Sequence, residues 1–145
     1  MPIIIEAMDL NLTKRGQYVV RAAIALARAD DDEYLKTSEI ASSMQLPGLY
    51  APQVLLLLRK SGLSESKPGK DGGHRLTRPP EEISLLDIVN AAGEDVRESE
   101  CILRAGPCPG ESECSLHLPW ERAQRAMISI LQSTSLQDLA DIEGA

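Results

Sequence analysis

The chain has 145 residues and a formal net charge of -7, with 43% hydrophobic, 26% charged and only 3% aromatic residues. That length suits one compact unit with an appendage and excludes two full domains, and so few aromatics leave the core to Leu, Ile, Val and Ala, which favours helices. No apolar run approaches the roughly 18 residues of a membrane span, and Met1–Leu10 carries acidic residues without a basic lead, so a cytoplasmic protein with no membrane association is expected.

The charge is unevenly divided. Residues 1–80 hold 11 Lys and Arg against 9 Asp and Glu, whereas residues 81–145 hold 4 against 13. Within the first part, Arg59, Lys60, Lys67, Lys70, Arg75 and Arg78 face only Glu65 and Asp71 over one short stretch. Screening limits distant charge to a reach of about 8–10 Å, so a basic segment on an acidic body still attracts phosphate. The alternative is an ordinary solvated face.

From Thr13, apolar residues at Val19, Ala22, Ala23, Leu26 and Ala27 recur at helical spacing, and the acidic run Asp30–Glu33 ends that helix. A second helix is expected with Thr37 as N-cap, Glu39 in its first turn and Ile40, Ala41 and Met44 on its inner face, broken by Pro47-Gly48. A third runs from about Tyr50 to Ser61 and stops at Gly62. Leu63–Thr77 follows as two short alternating runs about Pro-Gly and Gly-Gly, a hairpin with basic residues at its tip. Three helices and a basic hairpin in this order predict a mainly α winged helix-turn-helix with a small two-stranded wing, occupying residues 1–80.

Residues 81–145 form the rest of the same structural unit. Ser84 and Asp87 have capping-box spacing at the head of a helix through Ile88, Val89 and Ala92 that stops at Gly93. Pro119 sits in the first turn of a long helix whose Trp120, Ala123, Met127, Ile130 and Leu131 make one apolar stripe. By periodicity alone such a stripe is more often ordinary core than an interface. Ser135 and Asp138 repeat the capping pattern before Leu136, Leu139 and Ala140.

Between these helices all three cysteines fall within fourteen residues, as Cys101, Cys108 and Cys114, among Gly106, Pro107, Pro109 and Gly110. Three thiols cannot all pair as disulfides within one chain, and clustered thiolates suit soft metals or iron–sulfur clusters, which normally take four protein ligands. His117, three residues past Cys114, is a candidate fourth donor; Glu111, Glu113 or a first-helix residue of a partner chain compete with it. Zinc would accept the same set, although zinc sites usually pair cysteines more closely. A thiol switch and a purely structural role stay open.

Taken together these motifs resemble the bacterial winged-helix regulators of the IscR/NsrR type, over nearly the whole chain from Leu12. The resemblance rests on Leu12-Thr13-Lys14-Arg15-Gly16-Gln17-Tyr18, on Tyr50, Gln53 and Arg59-Lys60-Ser61-Gly62-Leu63, on Gly72-Gly73-His74, on Ile83-Ser84-Leu85-Leu86-Asp87-Ile88-Val89, and on Cys114-Ser-Leu-His117. It implies a homodimeric transcription regulator that binds a palindromic operator in double-stranded DNA. Thr37, Ser38, Tyr50, Gln53, Arg59 and Lys60, with Lys67, Lys70, Gly72, Gly73, His74 and Arg75 of the wing, are its implied DNA-contacting residues, and Trp120, Ala123, Met127, Ile130 and Leu131 its dimer face. It further implies an iron–sulfur cluster on Cys101, Cys108, Cys114 and His117, 2Fe–2S in preference to 4Fe–4S, because Gln17 stands where the other ligand type places an Asp.

Two features depart from the family pattern. The gap between Cys101 and Cys108 is one residue longer than usual, and Val54-Leu-Leu-Leu-Leu58 spreads leucines over more than one helical face, with Leu57 where a polar residue is more common. The competing classes are a zinc or thiol-switch regulator of the same fold, a protein-binding adaptor working through the acidic half, and an enzyme. The last has least support: there is no phosphate-binding glycine loop, and His74 and His117 have no evident triad partners.

Overall fold

The computed structural model describes residues 12–94, 109 and 114–142. Its elements are α1 (Lys14–Arg28), α2 (Thr37–Met44), α3 (Ala51–Lys60), β1 (Ser64–Lys67), β2 (Gly73–Leu76), a 3-10 turn (Pro80–Glu82), α4 (Leu85–Ala91), α5 (His117–Ser133) and α6 (Leu136–Ala140). None of these helices is long and apolar enough to cross a membrane.

The helix starts are fixed by local chemistry. Thr13 caps α1 by accepting a hydrogen bond from Gly16 N–H through its side chain. Ser84 and Asp87 cap α4 reciprocally, and Ser135 and Asp138 do the same for α6, as their spacing predicts. At α2 the expectation is off by one residue. Lys36 is the N-cap and Thr37 already lies in the first turn, because the Glu39 carboxylate reaches back three residues to accept from Lys36 N–H at 2.7 Å. Thr37 can therefore use its hydroxyl elsewhere.

α1 is the central strut. Val19, Ala22, Ala23 and Leu26 are buried against Ile40 and Met44 of α2, Val54, Leu55 and Leu58 of α3, and Ile83, Ile88 and Leu136 from the later part of the chain. Leu58 is wholly enclosed; truncating such a residue to alanine costs about 2–5 kcal/mol. The C-terminal elements share this core and are also fastened by polar bonds. Leu85 N–H donates to Thr134 O and Leu136 N–H to Ile83 O, both at 2.8 Å. Arg28 donates from Nε to Ala140 O at 3.1 Å and from Nη2 to Ile142 O at 2.6 Å.

The wing is an antiparallel pair in which Ser64, Glu65, Ser66 and Lys67 face Leu76, Arg75, His74 and Gly73. It docks on the chain just before α2, where Leu35 and His74 exchange backbone hydrogen bonds of 2.9 and 2.8 Å. α5 differs from the other helices. None of its 17 residues is buried, and it packs against α4 while its outer face stays open.

Candidate functional site

Every proposed DNA-contacting residue lies on the α2–α3–wing side. Tyr50, at the N-cap of α3, is exposed and its ring lies 6.1 Å from that of Tyr18 on α1, tilted by 31°. Gln53, Leu56, Arg59 and Lys60 follow along the outer face of α3, all exposed, while Ala51, Val54, Leu55 and Leu58 take the inner face. Ser38 is exposed in the first turn of α2. Arg59 reaches the wing, donating from Nη1 to Ser66 Oγ at 3.0 Å, so α3 and the wing form one surface.

The wing's two faces have different occupations. Ser64, Ser66, His74 and Leu76 alternate with Glu65, Lys67, Gly73 and Arg75 along the pair. His74 Nε2 lies 3.2 Å from Thr37 Oγ1, and its Nδ1 is buried with no hydrogen-bond partner among the described residues. Burial, and secondarily the charge of Arg59, lowers the pKa of this ring, which favours the neutral form. On the other face Arg75 Nε donates to Glu65 Oε1 at 2.5 Å, its Nη1 reaches Asp32 at 3.4 Å, and its guanidinium sits 4.5 Å from the Tyr34 ring centroid. The hydrogen bond to Glu65 is the main cause that raises its pKa. Arg75 is thus already paired, whereas Lys67 Nζ lies 5.5 Å from the Tyr34 ring centroid and Lys70 is exposed at the tip.

Gly72 and Gly73 have a mechanical role. Gly73 adopts φ +147°, and a Cβ there would stand 2.3 Å from Leu35 O. A Cβ at Gly72 would stand 1.9 Å from Lys67 O. Gly72 thus lets the hairpin close on its own first strand, while Gly73 and the Lys36 Nζ to Gly69 O bond of 2.7 Å hold the wing onto the α2 approach.

Of the four proposed metal ligands, Cys101 and Cys108 lie outside the described residues. Cys114 is buried at 6% exposure, and its carbonyl accepts from His117 N–H at 3.2 Å where α5 begins. His117 is half-buried, with Nε2 3.8 Å from Glu121 Oε2. Cys114 and His117 offer a buried thiol and an imidazole three residues apart, donor types that suit a thiophilic centre, and among the described residues no group of three or more His, Cys, Asp or Glu side chains is brought together. Gln17, the alternative position on α1, donates its side-chain amide to Leu12 O at 3.1 Å.

One contact had no sequence signal. Glu94, the last described residue before that stretch, accepts hydrogen bonds from Thr13 N–H at 3.0 Å and from the Thr13 hydroxyl. Its carboxylate lies where a Cβ on Gly16 would stand, 2.3 Å away, so the glycine makes room for it. A carboxylate here also faces the positive end of α1.

On the stripe helix α5, Trp120 and Leu131 are partly covered, Ala123 is exposed, and Met127 and Ile130 are 42% and 65% exposed.

Comparison with known proteins is consistent with this architecture. The family model Rrf2, described as an iron-dependent transcriptional regulator, matches residues 12–142. Protein aau3 of Rhizobium meliloti is 33% identical over 132 residues, spanning 90% of this chain and 84% of its own. The HTH-type transcriptional regulator IscR of Aliivibrio salmonicida is 30% identical, over 90% of this chain and 77% of its own. Among solved structures, CymR of B. subtilis, the global cysteine regulator, superposes with a TM-score of 0.77 at 28% identity, covering 90% of this chain and 96% of that one. T. potens IscR superposes with a TM-score of 0.72 at 25% identity, covering 96% of each. The chain belongs to the Rrf2 family and is a winged-helix, DNA-binding transcription regulator, not an enzyme.

Proposed function

We propose that the protein works as a homodimer that reads a palindromic operator with α3 and the wing, and that Cys101, Cys108, Cys114 and His117 hold an iron–sulfur cluster, 2Fe–2S in preference to 4Fe–4S, whose state sets operator affinity. The observation that carries this reading is the placement of the cysteine stretch between two anchors. At its start Glu94 is bonded to the N-cap of α1, and at its end Cys114 and His117 open α5. When bound, the cluster would supply a link among the four ligand positions that responds to iron supply or oxidation.

The chain's own residues provide the route to DNA. Thr13, held by Glu94, sets the first turn of α1; Tyr18, in the second turn, lies against Tyr50 at the start of α3. At the other end, α5 carries the exposed Met127 and Ile130, the proposed dimer face, so a change in how α5 begins alters the relation of the two recognition helices. Operator half-sites have fixed spacing, and small changes in that relation alter affinity. Tyr50 and Gln53 approach base edges while Lys67 and Lys70 neutralise phosphates without reading sequence.

A second reading keeps the fold and the operator but replaces the cluster with zinc or a thiol switch. The likeness to CymR favours it, since that protein is a cysteine regulator and its Staphylococcus aureus form has been solved oxidized. Anaerobic purification with iron, acid-labile sulfide and zinc analysis separates the two. Equal iron and sulfide with a visible absorption band, lost in Cys114→Ala and His117→Ala, supports the cluster. A colourless protein with zinc and no sulfide, or with neither, assigns the loop to the second reading.

A further inference from the structure

The leucines of α3 are more numerous than its core requires. Val54, Leu55 and Leu58 fill the inner face, yet Leu56 is 38% exposed on the outer face, and Leu49, just before the helix, is 87% exposed. Leu56 lies one turn beyond Gln53 and one turn before Arg59 and Lys60, in the middle of the surface that carries them. Gln53 and Leu56 also edge a cleft whose other rim bears Lys14 and Arg15 of α1. The result is an apolar strip with cations on both sides.

That pattern matches the major groove, which has phosphate on both rails and base edges on its floor. Only one base edge there presents an apolar group, the C5-methyl of thymine. Gln53 carries the side-chain amide suited to the adenine edge. Three residues of helix rise span about 4.5 Å, against about 3.4 Å per base pair, so Gln53 and Leu56 address neighbouring base pairs. A second copy of this chain is a poorer occupant of the strip, because it would bring the flanking cations against its own Lys14, Arg15, Arg59 and Lys60.

We infer that Leu56 is a specificity-determining residue that packs on a thymine methyl in the major groove, so that each operator half-site carries an A·T pair opposite the middle of α3. This rests on the reading of α3 as the recognition helix.

The test uses the full-length protein and a duplex it selects from a randomised pool. Each thymine of that duplex is replaced in turn by deoxyuridine, which removes the methyl and nothing else. For the wild type, at least one replacement per half-site should weaken binding about fourfold, the worth of one buried methyl-sized group. Leu56→Ala, at an exposed position, should bind the thymine and deoxyuridine duplexes equally. Unchanged deoxyuridine sensitivity in Leu56→Ala overturns the inference, as does a wild type indifferent to every replacement while Gln53→Ala alters base preference; in both cases α3 remains the recognition helix. If Gln53→Ala and Arg59→Ala both bind as the wild type does, the recognition-helix reading fails and takes this one with it. Loss of dimer in Leu56→Ala, without loss of deoxyuridine sensitivity, assigns the strip to a protein contact and overturns the inference.

Discussion

Replacing Gly73 with alanine tests how the wing is held. The added methyl would stand 2.3 Å from Leu35 O, 2.6 Å from Leu35 C and 3.1 Å from Lys36 N, all backbone atoms that cannot rotate away. The φ of +147° is in addition one that L side chains rarely adopt. Relief requires β2 to leave Leu35, which breaks the two backbone bonds of 2.9 and 2.8 Å and strains the 3.2 Å Thr37–His74 contact. Two bonds at about 1 kcal/mol each, with residual backbone strain of about 1–2 kcal/mol, give a loss of about 3–4 kcal/mol. Urea unfolding followed by far-UV circular dichroism reads it directly, with Gly48→Ala as the control because a methyl there meets nothing within 4 Å. Operator affinity should fall without a change in base preference. A loss below about 0.5 kcal/mol with the Leu35–His74 bonds still protected from hydrogen exchange would refute the docking of the wing through Gly73.

The Lys67→Ala, Lys70→Ala double variant should flatten the dependence of log K on log salt by about 0.9 for each phosphate no longer neutralised, measured by fluorescence anisotropy between about 50 and 200 mM salt. Arg75→Ala should leave that slope alone and lower the melting temperature, since its guanidinium is occupied by Glu65, Asp32 and Tyr34; an equal flattening would show that the ion pair opens to DNA. Ile130→Glu, at a position 65% exposed in the isolated chain, should yield a folded monomer by analytical ultracentrifugation, and a wild-type dimer would remove α5 as the dimer face. His74 binds protons less readily when folded, because burial and then Arg59 lower its pKa. Its contribution is therefore complete above the ordinary histidine value of about 6.5 and is lost as pH falls below it. Urea midpoints at pH 7.5 and 5.5 should differ more in the wild type than in His74→Gln, and equal differences would contradict this.

What the sequence made legible was local or periodic. Ser84 and Ser135 announce their helices by capping chemistry, and Val19, Ala22, Leu26, Ile40 and Met44 announce their buried faces by spacing. The Gly-Gly centre announced the hairpin but not the reason for Gly73, which depends on Leu35 arriving from 38 residues earlier. Arg75 reads as a free cation because its partners come from two segments: Glu65 is set by strand register, and Tyr34 and Asp32 by the docking of the wing. The Thr13–Glu94 contact joins residues 81 apart and has no local signature at all. Thr37 was misplaced as a cap because a serine or threonine is the stronger local signal, yet the Glu39 carboxylate bonds one residue earlier and moves the helix start with it.

Sensing requires that the state of the cysteine stretch reach the operator. The direct measurement is the affinity of anaerobically prepared holo protein and of the same preparation stripped of iron, on one selected operator at fixed salt. The two affinities should differ by about fivefold or more, the lower range of coupling between linked sites, with Cys114→Ala fixed at the stripped value. Equal affinities of the two forms on that operator would rule out control of DNA binding by the cluster.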